Sequence, residues 1–381
     1  MNTTIPMRLE HAAKPQFSRR LQQFRLALLN GGQDGALIFA AEHLRYLLNY
    51  SGEAAMAVVT ATSVWLITDY RFELQARHET ALVQAGCQVL IRDRDRQSLG
   101  ALLNQLIGDL GCRALWFEAE HISLTQFQAI AGELSALTLQ LTPCPPVLAA
   151  QRMVKDDYEA GQIQLAANIA DRALATVLPL LKPGIREHEF ATELEYQLKK
   201  HGADGLSFTT IVGFGARSAL PHALPGDKKL QKGDLVLIDF GASVNGYRSD
   251  MTRSYVAGKP DVMQLALFQT VQQAQQAALA KVRAGISAAE LFFISDSALQ
   301  QSEFGRYAGP GLGHGVGLQL HEQPFLSPNN PQPLQSGMIV TIEPGLYLPN
   351  YGGVRIEDDV LVTAQGYQQL TQAPVRFQLD I

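Results

Sequence analysis

The sequence predicts an α/β domain over residues 1–147 and, over 148–381, an α+β domain built from an internal pseudo-twofold repeat. Three observations predict this. The 381 residues exceed the roughly 250–300 that one hydrophobic core supports. The cluster Pro143-Cys144-Pro145-Pro146 breaks regular structure and marks a boundary. Beyond it, one stretch of sequence repeats about a hundred residues later.

Before the prolines, short apolar runs alternate with amphipathic stretches, the pattern of an α/β sandwich. Ala36-Leu37-Ile38-Phe39, Ala57-Val58-Val59-Thr60, Val64-Trp65-Leu66-Ile67, Gln88-Val89-Leu90-Ile91 and Ala114-Leu115-Trp116-Phe117 read as strands. Phe17 to Leu29 and Leu99 to Ile107 read as helices. No glycine-rich phosphate loop lies among them. After the prolines comes a long helix with Ile163, Ala166, Ala170, Ala173, Val177 and Leu181 on one face, stopped by Pro183-Gly184. A second helix runs from Glu187 to Lys200, with Gly202 as its stop.

The repeat lays Leu230-Gln231-Lys232-Gly233-Asp234-Leu235-Val236-Leu237-Ile238-Asp239-Phe240-Gly241 on Leu334-Gln335-Ser336-Gly337-Met338-Ile339-Val340-Thr341-Ile342-Glu343-Pro344-Gly345 without a gap. Upstream, Gly184-Ile185 with Glu189 matches Gly285-Ile286 with Glu290. Two unrelated strands with similar turns would agree at one level only. Each half therefore offers an acid at the same place, Asp239 and Glu343, and sites commonly form where such halves meet.

Composition excludes several classes. Hydrophobic residues make up 46% and charged ones 18%, ordinary for a folded soluble protein. A net charge of −5 without a Lys/Arg-rich run argues against nucleic acid. No apolar run reaches the roughly 18 residues of a membrane span, and the first residues do not read as a signal peptide, so a cytoplasmic enzyme is expected. Cys87, Cys112 and Cys144 fit no metal knuckle and read as buried free thiols.

Asp239 ends an apolar strand, and Asn245-Gly246 beyond it is a hairpin signal. Pairing about that turn sets Gly241 opposite Asp250, so Asp239 and Asp250 become diagonal neighbours about 7–8 Å apart at the backbone. Two carboxylates that close in an apolar place need a cation or a proton. Taken alone, Asp250 also reads as a solvated strand-end acid. Asp239-Phe240-Gly241 resembles a kinase metal triplet, but no companion motif supports that. Gly309-Pro310-Gly311-Leu312-Gly313-His314-Gly315-Val316-Gly317 presents a histidine on nearly bare backbone. His321 would fall on the other face of a regular strand, so the chain must bend if both histidines serve one site. Arg355, Glu357 and Asp359 share one face of a strand expected over Val354 to Val362, which on its own also reads as a solvated edge. Together, Asp239, Asp250, His314, Glu343 and Glu357 form an oxygen-rich set. It carries too much charge for one zinc and suits two ions such as Mn²⁺ or Co²⁺, with Zn²⁺ also possible. Such a pair activates water and polarises a carbonyl, which points to hydrolysis.

These residues resemble the pita-bread metallopeptidase family, which includes methionine aminopeptidase, prolidase and aminopeptidase P. The matching pieces, in the family's order, are Ser218-Ala219-Leu220-Pro221-His222, Asp239-Phe240-Gly241, Ser249-Asp250-Met251-Thr252-Arg253, Gly313-His314-Gly315-Val316-Gly317, His321-Glu322, Thr341-Ile342-Glu343-Pro344-Gly345 and Gly353-Val354-Arg355-Ile356-Glu357-Asp358. Arg45-Tyr46-Leu47-Leu48-Asn49-Tyr50-Ser51-Gly52 and Thr68-Asp69-Tyr70-Arg71-Phe72 look like the N-terminal domain of prolidase, aminopeptidase P and creatinase, with Asn49-Tyr50 where Gly-Phe is usual. Arg152-Met153-Val154-Lys155 looks like the family's interdomain junction. The resemblance implies a dinuclear site on Asp239, Asp250, His314, Glu343 and Glu357. It implies His222 and His321 as substrate contacts that stabilise the tetrahedral intermediate, and Glu343 as proton shuttle. The implied substrate is a peptide with proline second, cleaved before that proline by an Xaa-Pro aminopeptidase. The alternative is an Xaa-Pro dipeptidase (prolidase), for which Arg355 or Arg253 would hold the substrate carboxylate; Arg355 could instead orient metal ligands. A homodimer is the implied assembly. A non-enzymatic binding protein would be expected to break the ligand set, and a hydrolase of another bond would differ only in pocket shape.

Overall fold

The computed structural model describes residues 14–83, 86–135 and 137–380. They fall into two compact units, residues 15–152 and 153–380.

In the first unit the strands are β1 (Gly35–Ile38), β2 (Met56–Thr60), β3 (Val64–Asp69), β4 (Cys87–Arg92), β5 (Ala114–Phe117) and β6 (Gln140–Pro143). They form one sheet in the order β4-β3-β2-β1-β5-β6, with β2 antiparallel to both neighbours and the other pairings parallel. The helices are α1 (Phe17–Asn30), α2 (Ala41–Leu48), α3 (Glu73–Thr80), α4 (Leu99–Leu110), α5 (Leu124–Leu134) and α6 (Val147–Met153). Leu37, Val58, Leu103, Ile107 and Leu115 fill the core between sheet and helices. The five expected strands and two expected helices are present. The sequence pattern does not reveal β6, which is half-exposed and polar, or α3, whose buried face is only Ala76 and Thr80. Residue Ala40 supplies no cap to α2. The Glu118 carboxylate accepts from the Phe39 and Ala40 backbone N–H groups at 2.6 and 2.8 Å and so anchors the chain just ahead of the helix.

The second unit opens with α7 (Asp157–Val177), started by an Asp156/Glu159 capping box, and α8 (Glu187–Lys200). Strands β7 (Gly205–Leu206), β8 (Ile211–Phe214), β9 (Leu235–Phe240), β10 (Ala242–Val244), β11 (Tyr247–Arg248) and β12 (Met251–Ala257) follow. After α9 (Val262–Leu279) and α10 (Ala288–Gln300) come β13 (Gly313–Gly315), β14 (Glu322–Leu326), β15 (Ile339–Ile342), β16 (Gly345–Leu348), β17 (Gly352–Arg355), β18 (Asp358–Val362), β19 (Tyr367–Gln369) and β20 (Gln378–Leu379). The larger sheets are β20-β12-β9-β8 and β14-β13-β15-β18-β19.

The repeat is physical. Gly184 N–H donates to Leu230 O and Leu230 N–H to Ile185 O, each at 2.8 Å. Gly285, Leu334 and Ile286 make the same two bonds at 2.8 Å in the second half. Equivalent helix–helix–strand units thus bring β9 and β15, with the acids at their ends, to corresponding places. Two expectations change. The strand expected over Val354–Val362 is two strands: β17 pairs with β16, β18 pairs with β15, and the chain breaks at Ile356-Glu357. The three cysteines are free but half-buried rather than buried. Burial nevertheless pushes the Cys87 and Cys144 thiols up to about 11 and 12, so neither is a nucleophile at neutral pH.

Candidate active site

The β9–β12 pairing sets Phe240 opposite Met251 and Asp239 opposite Thr252, and the same register continues around the turn to Val244 opposite Tyr247. Gly241 therefore faces Asp250, as the hairpin pattern implied. Asp239 and Asp250 are 7% and 4% exposed, so neither is a solvated strand end.

His314 sits in the middle of β13, between two glycines that other backbone approaches closely. A Cβ on Gly313 would collide with the Thr341 carbonyl, and one on Gly315 with the Gln323 carbonyl. The glycine run thus lets β14 fold back on β13 and β15 pass beside it. That reversal is the bend that two histidines seven residues apart require: the His314 and His321 rings meet edge-on, with centroids 4.3 Å apart. The His314 Nδ1–H donates to the Gly315 carbonyl at 3.0 Å, which turns Nε2 toward the carboxylates. Nε2 lies 3.3 Å from Glu343 Oε1 and 3.6 Å from Asp250 Oδ2. Glu343 follows the end of β15, and Glu357 occupies the break between β17 and β18. Ligand atoms of Asp250, His314 and Glu357 lie within 4.8 Å of one another.

Eight of the nine candidate site residues named from sequence line one cavity of about 570 Å³: Asp239, Asp250, His314, Glu343, Glu357, His222, His321 and Arg355. His222 is exposed at its rim, while Arg355 is buried. The Arg355 guanidinium donates to Asp239 Oδ2 at 2.6 Å and to the Tyr347 hydroxyl at 2.6 Å, and its Nε donates to Thr252 Oγ1 at 2.9 Å. Thr252 in turn donates to Glu357 Oε2 at 2.6 Å, and Thr341 donates to Glu343 Oε1 at 2.9 Å. Arg253 does not reach the cavity as a carboxylate anchor. It is 1% exposed, and its donors are taken up by the Ala373, Thr252 and Glu357 carbonyls and by Asp358.

Burial pushes the Asp250 and Glu357 carboxyls well above their ordinary range, and the surrounding acids add to it. Burial likewise raises Asp239, with Arg355 opposing. Burial also works against an ionised Glu343, but the His314 hydrogen bond and charge bring its carboxyl below the usual value. His314 is correspondingly raised, because Glu343 outweighs the desolvation of its ring. His321 is exposed at the cavity, yet partial desolvation of its ring and the adjacent His314 lower it, which favours a neutral ring. Among the described residues, the buried Asp239 Oδ1 and Asp250 Oδ1 have no hydrogen-bond partner. Orphaned carboxylate oxygens beside an imidazole nitrogen are the donor set a divalent ion takes, so the residues present fit such an ion.

Sequence reasoning missed several supports. Asp359 accepts from the Asp250 backbone N–H at 2.9 Å; strand alternation locates Asp359 but gives no sign of this bond. Lys155, 1% exposed at its side chain, pairs with Glu322 at 2.8 Å, next to His321. Arg306 and Tyr347 also line the cavity, and no sequence spacing signals either.

Residues 161–364 match metallopeptidase family M24, and residues 20–154 match the creatinase/prolidase N-terminal domain. The chain belongs to metallopeptidase family M24. An uncharacterized peptidase of Bacillus subtilis is 33% identical over 358 residues, which are 93% of this chain and 98% of the relative. A solved Xaa-Pro dipeptidase from Bacillus anthracis superposes with a TM-score of 0.90 at 32% identity, over 96% of this chain and all of that one (100%). A solved X-Pro aminopeptidase from Thermotoga maritima gives a TM-score of 0.85 at 32% identity, over 91% of this chain and 98% of that one. Like its family, the chain is a metallo-exopeptidase that uses divalent metal, and its C-terminal domain has the pita-bread fold.

Proposed function

We propose that this enzyme hydrolyses the Xaa-Pro bond at the N-terminus of short peptides, with two divalent ions, Mn²⁺ foremost, held by Asp239, Asp250, His314, Glu343 and Glu357. One observation carries the reading: three buried carboxylates, the half-buried Glu343 and an imidazole converge on one cavity while two of their oxygens are left without partners. Charge supports a pair of ions. Arg355 offsets one of the four acids, leaving three negative charges on the ligand set. One divalent ion leaves the cage negative. Two leave a single positive charge, the sign that a developing oxyanion needs.

When bound, the ions supply Lewis acidity and make water a nucleophile at neutral pH. The chain's own groups do the rest. Glu343, held by Thr341, accepts a proton and delivers it to the proline nitrogen, which must be protonated to leave. His321, neutral and on the cavity wall, donates a hydrogen bond to the carbonyl oxygen as it gains charge. His222 positions the substrate from the rim. Arg355 fixes Asp239 and Tyr347.

The aminopeptidase and dipeptidase readings share this machinery. We favour the dipeptide, because relatives of high similarity carry the name Xaa-Pro dipeptidase and because Arg306 stands at the cavity. Its guanidinium stacks on Tyr307 and donates to the Tyr307 hydroxyl at 2.7 Å, and it pairs with no acid among the described residues. It is the cation able to take the proline carboxylate. Turnover of Ala-Pro and Ala-Pro-Ala tests this. Ala-Pro is expected to be preferred, and Arg306→Ala should raise its KM while leaving the tripeptide unaffected. Faster turnover of the tripeptide would establish the aminopeptidase. The homodimer and the cytoplasmic location belong to the same proposal; light scattering on the purified chain tests the first.

A further inference from the structure

The first unit contains a cavity of about 480 Å³ that plays no part in the chemistry above. Its size falls in the range of small-molecule sites, about 300–1,000 Å³. Five of the six strands run one way, and the cavity opens at their carboxyl ends: Phe39 just past β1, Asp69 ending β3, Arg92 ending β4, His121 past β5. The chain leaves β1 toward β2, β3 and β4, then returns to build β5 and β6 on the other side of β1. The cavity therefore sits at the switch point of the sheet, where open α/β domains place their ligands.

Its walls are of two kinds. Met56 and Ile130 contribute to an apolar floor. The rim is cationic within a chain of net charge −5. Asp69, 2% exposed, holds Arg71 through two charge-assisted bonds of 2.9 and 2.8 Å, and Arg94 stands 3.5 Å from the same carboxylate. Arg92 is half-buried and makes no ion pair among the described residues. Glu133, the other rim acid, accepts from the Ser98 hydroxyl at 2.5 Å. Three arginines against two acids leave the rim one positive charge in excess, over an apolar floor. That matches a single negative charge on an apolar body.

We propose that this cavity binds a small carboxylate carried on an apolar group, with Arg92 and Arg94 as the fork that receives the carboxylate. Isothermal titration of the full-length, metal-loaded chain with 4-phenylbutyrate tests it, against 4-phenylbutan-1-ol, which has the same body without the charge. The carboxylate is expected to bind at least about tenfold more tightly than the alcohol, since only it gains charge-assisted bonds. Arg92→Gln with Arg94→Gln should weaken the carboxylate about tenfold or more and leave the alcohol unchanged. Both arginines lie at a partly exposed strand end, and the comparison of the two ligands on the unaltered chain stands even if that variant folds poorly. Equal affinity for both ligands, no binding of the carboxylate at millimolar concentration, or carboxylate binding that survives both substitutions and so resides at the metal centre would each overturn the proposal.

Discussion

Replacing Lys155 with methionine should cost stability and turnover together. Lys155 and Glu322 are 1% and 7% exposed at their side chains and meet at 2.8 Å. The Lys155 backbone N–H also donates to the Gly337 carbonyl at 2.9 Å, at the turn that leads into β15 and Glu343. The pair therefore ties the segment carrying His321 to the strand carrying Glu343. Removing one partner of a buried pair costs up to about 3–5 kcal/mol, whereas removing both in favour of apolar groups is often near neutral. The single variant should lose stability in that range by urea unfolding. Lys155→Met with Glu322→Leu should recover more than half, though Glu322 also accepts from the Gln319 N–H at 3.4 Å. Hydrogen exchange over residues 313–343 should rise locally in the single variant. Its kcat should fall more than KM rises, with bound metal unchanged, because the displaced group is next to His321. A loss under about 1 kcal/mol, the value of a solvated surface pair, would refute the argument.

Asp250→Asn removes one negative donor from the cage and leaves the side-chain shape. Turnover should fall by orders of magnitude, metal content measured by atomic emission should drop, and far-UV circular dichroism should hardly change; near-normal activity would show that Asp250 holds no ion. His321→Ala should lower kcat about a hundredfold, the scale of losing one oxyanion donor, while metal content stays intact. Metal loss in that variant would place His321 among the ligands instead.

Much of the fold and site is legible in the sequence because it depends on short-range pattern. Asn245-Gly246 fixes its own turn, with φ of 51° and 82°, and the strand register follows from it by counting, which is why the Asp239–Asp250 diagonal can be read from the residues alone. The repeat is legible because both halves solve one packing problem with the same apolar spacing. The strand through Glu357 is misread because alternation assumes that a strand continues, and nothing local marks the break at Ile356-Glu357; β16 and β15 impose it by capturing either side. Arg253 shows the same limit. Its charge suggests a ligand anchor, but its burial is set by Ala373, 120 residues away. Partners that distant, like Glu118 anchoring the chain ahead of α2 or Lys155 meeting Glu322, leave no spacing to read.

The cage also makes a prediction about the metal-free protein, with a definite sign. In that form the Asp250 and Glu357 carboxyls are raised well above their unfolded values, chiefly by burial, and Asp359 reaches about 8. Between the unfolded value near 4 and these raised values, the folded chain binds more protons than the unfolded one. Stability must then fall as pH rises through that window. Each tenfold gain in a carboxyl's proton affinity on folding is worth about 1.4 kcal/mol, and for a domain of this size 1 kcal/mol moves Tm by about 2–4 °C. Chelated protein should therefore melt several degrees lower at pH 8 than at pH 5. With Mn²⁺ restored the acids can ionise against the cations, so this pH dependence should flatten and Tm rise at pH 8. Differential scanning calorimetry across pH 5–8, with and without chelator, measures both. A flat profile for the chelated protein would mean that the acids are hydrated and ionised without metal, and the argument that the fold itself demands cations would fail.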